Sequence, residues 1–67
     1  MTVYVNNELR ELFPATTLHA LLEASQLASL RGLAIAVNNQ VIARGVWETY
    51  ALQPGDRVTL IRASKGG

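Results

Sequence analysis

Cysteine is absent from this chain of 67 residues, and its absence removes several kinds of chemistry together. The protein cannot form disulfides, ligate iron–sulfur clusters, bind zinc through thiolates or use a cysteine nucleophile. A domain of this length buries only about 60% of its unfolded surface, and no covalent staple adds to its stability. We therefore expect a single small domain that depends on its hydrophobic core.

Charge of either sign is also sparse, with six basic residues scattered among five acidic ones and a net charge of +1. Nucleic-acid-binding proteins usually carry a clustered basic footprint, so we expect no nucleic-acid partner. No apolar run approaches the roughly 20 residues that a membrane-spanning helix needs. No basic segment precedes an apolar one at the N-terminus, as a signal peptide would require. These absences predict a soluble cytoplasmic protein with no membrane partner.

The residue combinations of a conventional active site are missing as well. His19 is the only histidine, whereas a zinc site needs three or four ligands. The acidic residues show no pairing suited to acid–base catalysis, and no serine has a base to activate it. Gly32 and Gly55 are isolated and form no phosphate-binding loop. We therefore expect no catalytic residue, no metal and no bound cofactor, and we predict that the chain is not an enzyme.

Two repeated signals predict β-hairpins. Each is a run of β-branched and apolar residues followed by an asparagine pair, Asn6-Asn7 or Asn38-Asn39, and asparagine tolerates the positive φ of a two-residue turn. A further turn is predicted where Pro54 and Gly55 stand in the order that a type II turn favours. The predicted strands cover residues 2–5, 8–13, 33–37, 40–43 and 57–63.

One helix is predicted over residues 18–28, with Thr17 as its N-cap and Gly32 as a stop beyond it. Its leucines recur at helical spacing. Residues 44–50 are predicted to form an irregular helical turn. The element order β-β-α-β-β-β suits an α+β fold in which one helix covers a mixed five-stranded sheet, with the last strand parallel to the first at the centre. This arrangement is the ubiquitin-like β-grasp.

The end of the sequence is the one segment that points to chemistry. We predict a β-grasp domain over residues 1–63 and a flexible tail over residues 64–67, which contains no packing residue. Glycine makes up about 7% of an average protein, so a terminal pair arises by chance in roughly half a percent of cases. Six residues from Arg62 onward reach about 20 Å when extended, and glycine lets such a tail enter a narrow channel.

A carboxylate on Gly67 would be a poor acyl donor until activated. Transfer to the α-phosphate of ATP gives an acyl-adenylate, and attack by sulfur on the adenylate gives a thiocarboxylate. Because this chain has no nucleotide site or sulfur donor of its own, partner proteins must supply both steps.

Several short segments, taken in their order and spacing, resemble the sulfur carrier protein family of thiamin biosynthesis over essentially the whole chain. Each segment alone is weakly specific, and the combination is more so in a chain this short. The segments are Val5-Asn6-Asn7, residues 17–22, residues 34–38, Val41-Ile42 with Arg44 and Trp47, Leu52 with residues 55–58, and Gly66-Gly67.

This resemblance implies a β-grasp fold and a two-step loading of the chain end. A ubiquitin-activating-like adenylyltransferase would adenylate Gly67, and ATP and Mg are used by that activating partner. Sulfur derived from cysteine through a cysteine desulfurase would convert the adenylate to a thiocarboxylate. Thiazole synthase would then take the sulfur into the thiazole ring of thiamin. Gly66 and Gly67 are the functional residues that the resemblance carries over to this chain.

The sequence departs from the family pattern at two positions. Lys65 precedes the glycine pair, where small or apolar residues are frequent, and it puts the identity of the partner in doubt. Gly45 stands between Arg44 and Trp47, where a polar residue is common. We expect Trp47 to pack over the sheet edge and Arg44 to order the irregular loop.

Other functions share the fold or the tail. A sulfur carrier for molybdopterin synthesis or for tRNA thiolation is the first alternative, and a ubiquitin-like protein modifier that forms an isopeptide through Gly67 is the second. A non-covalent β-grasp interaction module, for which the tail would be dispensable, is the third. The absence of cysteine excludes a β-grasp ferredoxin.

Period-2 alternation in the last strand also suggests a partner surface. If Val58 and Leu60 face the helix, Ile61 lies on the open face of the sheet, where Tyr4 is also expected. An exposed apolar patch of this kind suits docking. The predicted partner surface consists of Ile61, Tyr4 and Arg62.

Overall fold

A computed structural model describes residues 1–25 and 32–62 of the chain. Five strands and one helix follow the predicted order, with a short 3₁₀ turn before the last strand. The elements are β1 (Thr2–Val5), β2 (Glu8–Glu11), α1 (Leu18–Ala24), β3 (Leu33–Val37), β4 (Gln40–Ile42), the 3₁₀ turn (Arg44–Val46) and β5 (Arg57–Arg62).

The strands form one mixed sheet in the order β2-β1-β5-β3-β4. β5 lies at the centre, parallel to β1 on one side and antiparallel to β3 on the other. β2 and β4 are the outer strands, and each pairs with its hairpin partner. The predicted α+β class, the ubiquitin-like β-grasp architecture and the central parallel strand are confirmed.

Both asparagine pairs adopt the left-handed backbone that the sequence predicts. Asn6 and Asn7 have φ of 51° and 69°, and Asn38 and Asn39 have φ of 54° and 70°. Asparagine populates this region several-fold more than other non-glycine residues, so the hairpins form at low steric cost. Gly55, in the turn that leads into β5, also has a positive φ, of 83°.

The helix begins as predicted, because the Thr17 hydroxyl accepts a hydrogen bond of 3.1 Å from the Ala20 N–H. Its three leucines are buried against the sheet together with Trp47. The described helix ends at Ala24, and the predicted continuation to residue 28 falls mostly outside the described ranges. The buried hydrophobic side chains are Val3, Val5, Leu18, Leu21, Leu22, Leu33, Ile35, Ala36, Val37, Trp47, Leu52 and Val58.

Two predicted strand ends were wrong by one or two residues. β2 stops at Glu11 and not at residue 13, because the Phe13 carbonyl accepts hydrogen bonds from the Thr16 N–H and hydroxyl in a turn. β4 stops at Ile42 and not at residue 43, because the Ala43 carbonyl accepts from the Val46 N–H and opens the 3₁₀ turn. At the ends of both outer strands, hydrogen bonds within a local turn therefore replace the hydrogen bonds between strands.

No helix in residues 1–25 or 32–62 is long and apolar enough to cross a membrane.

Candidate functional site

The central position of β5 places this strand, which ends at Arg62, the last described residue, between two neighbouring strands. Gly66 and Gly67, together with the predicted boundary between residues 63 and 64, lie outside the described residues. The domain division and the role of the glycine pair therefore stay predictions.

Asparagine side chains from both hairpin turns hold β5 in place. The Asn6 side-chain carbonyl accepts a hydrogen bond of 2.9 Å from the Leu60 N–H, 54 residues away in sequence. On the other side, the Asn38 side-chain carbonyl accepts one of 3.0 Å from the Arg57 N–H. β1 and β3 end at these turns, so the two side-chain bonds take the place of further backbone bonds to β5. They hold β5 in position between its two neighbours.

The two faces of β5 differ as the alternation predicts. Val58 is 1% exposed, and Leu60 packs against the buried cluster. Thr59 and Ile61 point to the opposite side, and Ile61 is 48% exposed. The helix therefore covers one face, and the other face, called here the open face, carries Ile61.

The open face is apolar at the end nearest the tail. Ile61 of β5 is paired with Ala34 of β3, whose side chain is a single methyl group. In the adjacent row, Ala36 lies between Thr59 and Val41, and Val41 is 70% exposed. At this end of the sheet, the exposed side chains of Ile61 and Val41 therefore lie next to the small side chains of Ala34 and Ala36.

The far end of the same face is built from a different row of residues. Tyr4 on β1 lies between Leu9 on β2 and Arg57 on β5. The Arg57 guanidinium stands 4.7 Å from the centre of the Tyr4 ring, a cation–π distance, and Leu9 is 64% exposed. The open-face patch is defined as Tyr4, Leu9, Val41 and Ile61, and the Arg57 cation lies beside its aromatic ring.

The structure places only part of the predicted partner surface together. Tyr4 and Ile61 share the open face, but Tyr4 pairs with Arg57, which is four residues along β5, or about 13 Å, from Ile61. Arg62 pairs with the buried Leu33, so alternation places Arg62 on the helix side of the sheet. Ile61 and Tyr4 mark two ends of one face, and Arg62 lies at the rim of the other.

Leu9 and Val41 belong to the open-face patch, yet the sequence analysis did not select them. For Leu9 the necessary signal was present. A two-residue turn at Asn6-Asn7 puts Leu9 opposite Tyr4, which assigns Leu9 to the same face. For Val41 the same argument from Asn38-Asn39 pairs it with Ala36, but the exposure of that row follows only from the tertiary arrangement.

One carboxylate at the margin of the open face is electrostatically distinct. The Glu11 carboxylate accepts a hydrogen bond of 2.8 Å from the Thr2 hydroxyl and lies 3.3 Å from the Met1 ammonium. The Thr2 hydroxyl, followed by the Met1 ammonium, lowers the pKa of Glu11 from its ordinary value. Glu11 therefore anchors the start of β1 to the end of β2.

Arg44 and Trp47 form a structural unit next to β4. The Trp47 indole N–H donates to the Ile42 carbonyl at 3.0 Å, and Trp47 is 4% exposed. The Arg44 guanidinium lies 4.6 Å from the centre of that ring and donates to the Leu33 carbonyl at 3.2 Å. The predicted packing role of Trp47 and ordering role of Arg44 agree with these contacts, although Trp47 is in the core rather than over an edge.

Within the two described ranges, no three histidine or carboxylate side chains lie close enough together to hold a metal ion. His19 instead lies 3.2 Å from Glu23, one helical turn further on.

Comparison with known proteins identifies the family. The model of the ThiS family matches residues 3–67. The chain belongs to the ThiS family. It is 30% identical to the sulfur carrier protein ThiS of Escherichia coli (strain K12) over 67 residues, and the match covers the whole of both chains.

Solved structures agree on the fold. The crystal structure of the thiamine biosynthesis protein ThiS from Geobacter metallireducens superposes with a TM-score of 0.83 at 23% identity, and each chain is covered completely. A solution structure of a thiamine biosynthesis protein from the same organism gives a TM-score of 0.76 at 23% identity over 100% of this chain and 88% of that one. The resemblance inferred from the sequence is confirmed: the chain is a member of the sulfur carrier family of thiamin biosynthesis.

Proposed function

We propose that this ThiS-family chain carries sulfur as a thiocarboxylate on Gly67 and donates it for thiazole formation in thiamin biosynthesis. The observation that carries the proposal is the family match, which extends through residue 67 and so includes the glycine pair. The full-length match to the Escherichia coli sulfur carrier supports it. In this proposal the chain is a cargo-bearing partner and performs no catalytic step.

Loading requires two stages of chemistry on the Gly67 carboxylate. An adenylyltransferase of the ubiquitin-activating type uses MgATP to form the acyl-adenylate and releases pyrophosphate. A desulfurase transfers cysteine sulfur to a protein thiol as a persulfide, whose outer sulfur then attacks the adenylate and displaces AMP to give an acyl disulfide. A second thiol reduces that S–S bond, forms a disulfide with the donor thiol and leaves the thiocarboxylate on Gly67. Thiazole synthase is the proposed acceptor of this sulfur. Because loading consumes MgATP and cysteine sulfur, we assign it to the cytoplasm.

The position of β5 supports delivery of the tail to a partner's active site. A partner that binds the open face would contact β5. Ile61, which is exposed on that face, is one residue from the end of β5. The five residues after Arg62 can extend about 17 Å, so an active site at that range from Arg62 would be reachable. Glycines at positions 66 and 67 keep the end of the tail narrow.

We propose the open-face patch as the docking surface for the adenylyltransferase and for thiazole synthase. Exposed leucine, valine and isoleucine side chains supply apolar area, and Arg57 beside Tyr4 offers a positive charge to an acidic group on the partner. Arg62 contributes at most from the rim, since its side chain lies on the helix side.

A truncated variant that ends at Lys65 tests the proposal in cells that lack the wild-type gene. We expect no growth without thiamin, whereas the full-length chain restores growth. Normal growth with the truncated chain would show that the tail is dispensable and would favour a non-covalent interaction module. Higher-mass conjugates in extract, dependent on Gly67, would instead indicate a protein modifier. Growth restored only for molybdenum-cofactor or tRNA-thiolation defects would identify those branches as the acceptor.

A further inference from the structure

The outer edge of β2 is an exposed strand edge that carries charges of both signs. β2 pairs with β1 on one side only, and all four of its residues are exposed. Within residues 1–25 and 32–62, neither the Glu8 nor the Arg10 side chain has an ion-pair or hydrogen-bond partner. An unpaired edge offers backbone N–H and C=O groups to any strand that can match it.

The ladder between β1 and β2 determines which backbone groups point outward. The Leu12 N–H donates to the Met1 carbonyl at 2.8 Å, and alternation along the strand then directs the backbone groups of Arg10 and Glu8 toward β1 as well. The N–H and C=O groups of Leu9 and Glu11 therefore face away from the sheet. A strand added at this edge must form its hydrogen bonds with those two residues.

We propose that the occupant of this edge is a second copy of the same chain, with the two β2 strands antiparallel and Leu9 opposite Leu9. In this register the outward groups of the two leucines bond each other. Glu8 of each copy faces Arg10 of the other, so two ion pairs form across a twofold axis. The pairing is isologous, because the same patch serves both copies.

Charge selects this register over its neighbours. Only residues whose backbone N–H and C=O groups point outward can form hydrogen bonds across the edge. The allowed registers therefore differ by a shift of two residues, and each such shift is called a step. One step in one direction places Arg10 opposite Arg10, and one step in the other places Glu8 opposite Glu8. Like charges directly opposite each other destabilise a strand pair, whereas opposite charges stabilise it. Among these three registers, only the one centred on Leu9 places both Glu8 and Arg10 opposite a residue of opposite charge.

The two faces of the paired sheets differ in character. Glu8 and Arg10 are opposite the buried Val5 and Val3 of β1, so the ion pairs lie on the helix side, where both side chains are exposed. Leu9 lies on the open face beside Tyr4. Pairing therefore joins the two open-face patches into one continuous apolar surface across a sheet of twice the width.

Four residues from each copy make a small contact, so the association belongs to the weak, transient class. Sedimentation equilibrium of the full chain from micromolar to millimolar concentration tests it. We expect the average mass to rise toward that of a dimer at the highest concentrations. A monomer throughout the range would overturn the proposal, and so would association that leaves the Leu9 and Glu11 N–H resonances unshifted in NMR spectra.

Charge variants identify the register. Arg10→Glu makes positions 8 and 10 both acidic, and Glu8→Arg makes the same two positions both basic. Each variant alone should associate about tenfold or more weakly than the wild type, because both ion pairs become repulsive. An equimolar mixture should restore association, since each acidic residue again faces a basic one. Failure of the mixture to associate beyond the separate variants would contradict the register.

A backbone variant tests the edge independently of charge. Leu9→Pro removes the outward N–H, which the β1–β2 ladder does not use, and proline is tolerated on edge strands. The variant should remain folded and lose association at every concentration. If it fails to fold, the mixed charge variants decide the question, since they leave the backbone unchanged. Undiminished association of a folded Leu9→Pro variant would contradict the proposed edge.

Discussion

Asn38 and Asp56 are joined by a hydrogen bond of 3.1 Å from the asparagine amide N–H to the carboxylate, which ties the β3–β4 turn to the turn before β5. The other carboxylate oxygen of Asp56 accepts from the Gln53 N–H at 2.8 Å, and Asp56 itself is only 9% exposed. One buried carboxylate therefore connects two loops at the start of the central strand. The contact fixes where β5 begins.

Replacing Asp56 by alanine removes both acceptors at once. We expect the free energy of unfolding to fall by about 1–3 kcal/mol, because two donors lose their partner at a partly buried site. Urea denaturation followed by circular dichroism measures the change. Glu48→Ala, at an exposed position of the same chain, is the matched control and should change stability by less than about 0.5 kcal/mol. Equal stability of the two variants would contradict the assigned role of Asp56.

Replacing Trp47 by phenylalanine separates a structural role from a role in loading. The Ile42 carbonyl loses its indole donor, and a smaller ring leaves space in the core. We expect a loss of about 1–3 kcal/mol in the free energy of unfolding, with adenylation of the folded variant unchanged. Adenylation is followed as pyrophosphate release with MgATP and the activating enzyme. Lost adenylation in a stably folded variant would instead make Trp47 a partner contact.

Charging the open face should impair loading without unfolding the domain. Ile61→Asp places an unpaired carboxylate in the proposed contact with the adenylyltransferase, so we expect at least a tenfold loss of loading rate at low carrier concentration. The matched control is Val46→Asp. Val46 is exposed to a similar degree, 45% against 48% for Ile61, but lies on the 3₁₀ turn outside the sheet. Equal loading rates for the two variants would contradict the proposal that the open face contacts the adenylyltransferase.

Glu11 predicts a specific acid sensitivity. Because the folded pKa is lowered, its contribution to stability is fully present above the ordinary carboxyl pKa of 4.5. That contribution is lost as the pH falls through the lowered folded value. The difference in stability between wild type and Glu11→Gln should therefore shrink to nothing in strong acid. An NMR titration in which Glu11 protonates at its ordinary pKa would contradict this expectation.

The fold was predictable because local signals and tertiary pairing agree. The asparagine pairs specified both hairpins and their registers, and Thr17 specified where the helix begins. The end of β2 was not predictable in the same way, because the turn at Phe13 competes with the ladder through the Thr16 hydroxyl. Propensity alone does not decide between two such local hydrogen-bonding schemes.

The composition of the open face was only partly predictable, for a different reason. Alternation placed Ile61 correctly, and the hairpin register could have placed Leu9. The sequence predicted that the first and last strands pair in parallel, but the contact between Arg57 and Tyr4 depends on the register of that pairing, which no local pattern encodes. The bond from Leu60 to Asn6 depends on the same long-range pairing.

The central claim is that the Gly67 carboxylate becomes a thiocarboxylate, and the intact mass of the protein tests it most directly. The chain is incubated with MgATP, the activating enzyme and a cysteine-derived sulfur source, and a variant ending at Lys65 is treated in parallel. The account predicts a mass increase equal to the difference between sulfur and oxygen, confined to the full-length chain. An unchanged mass, or the same increase in the truncated variant, would contradict it.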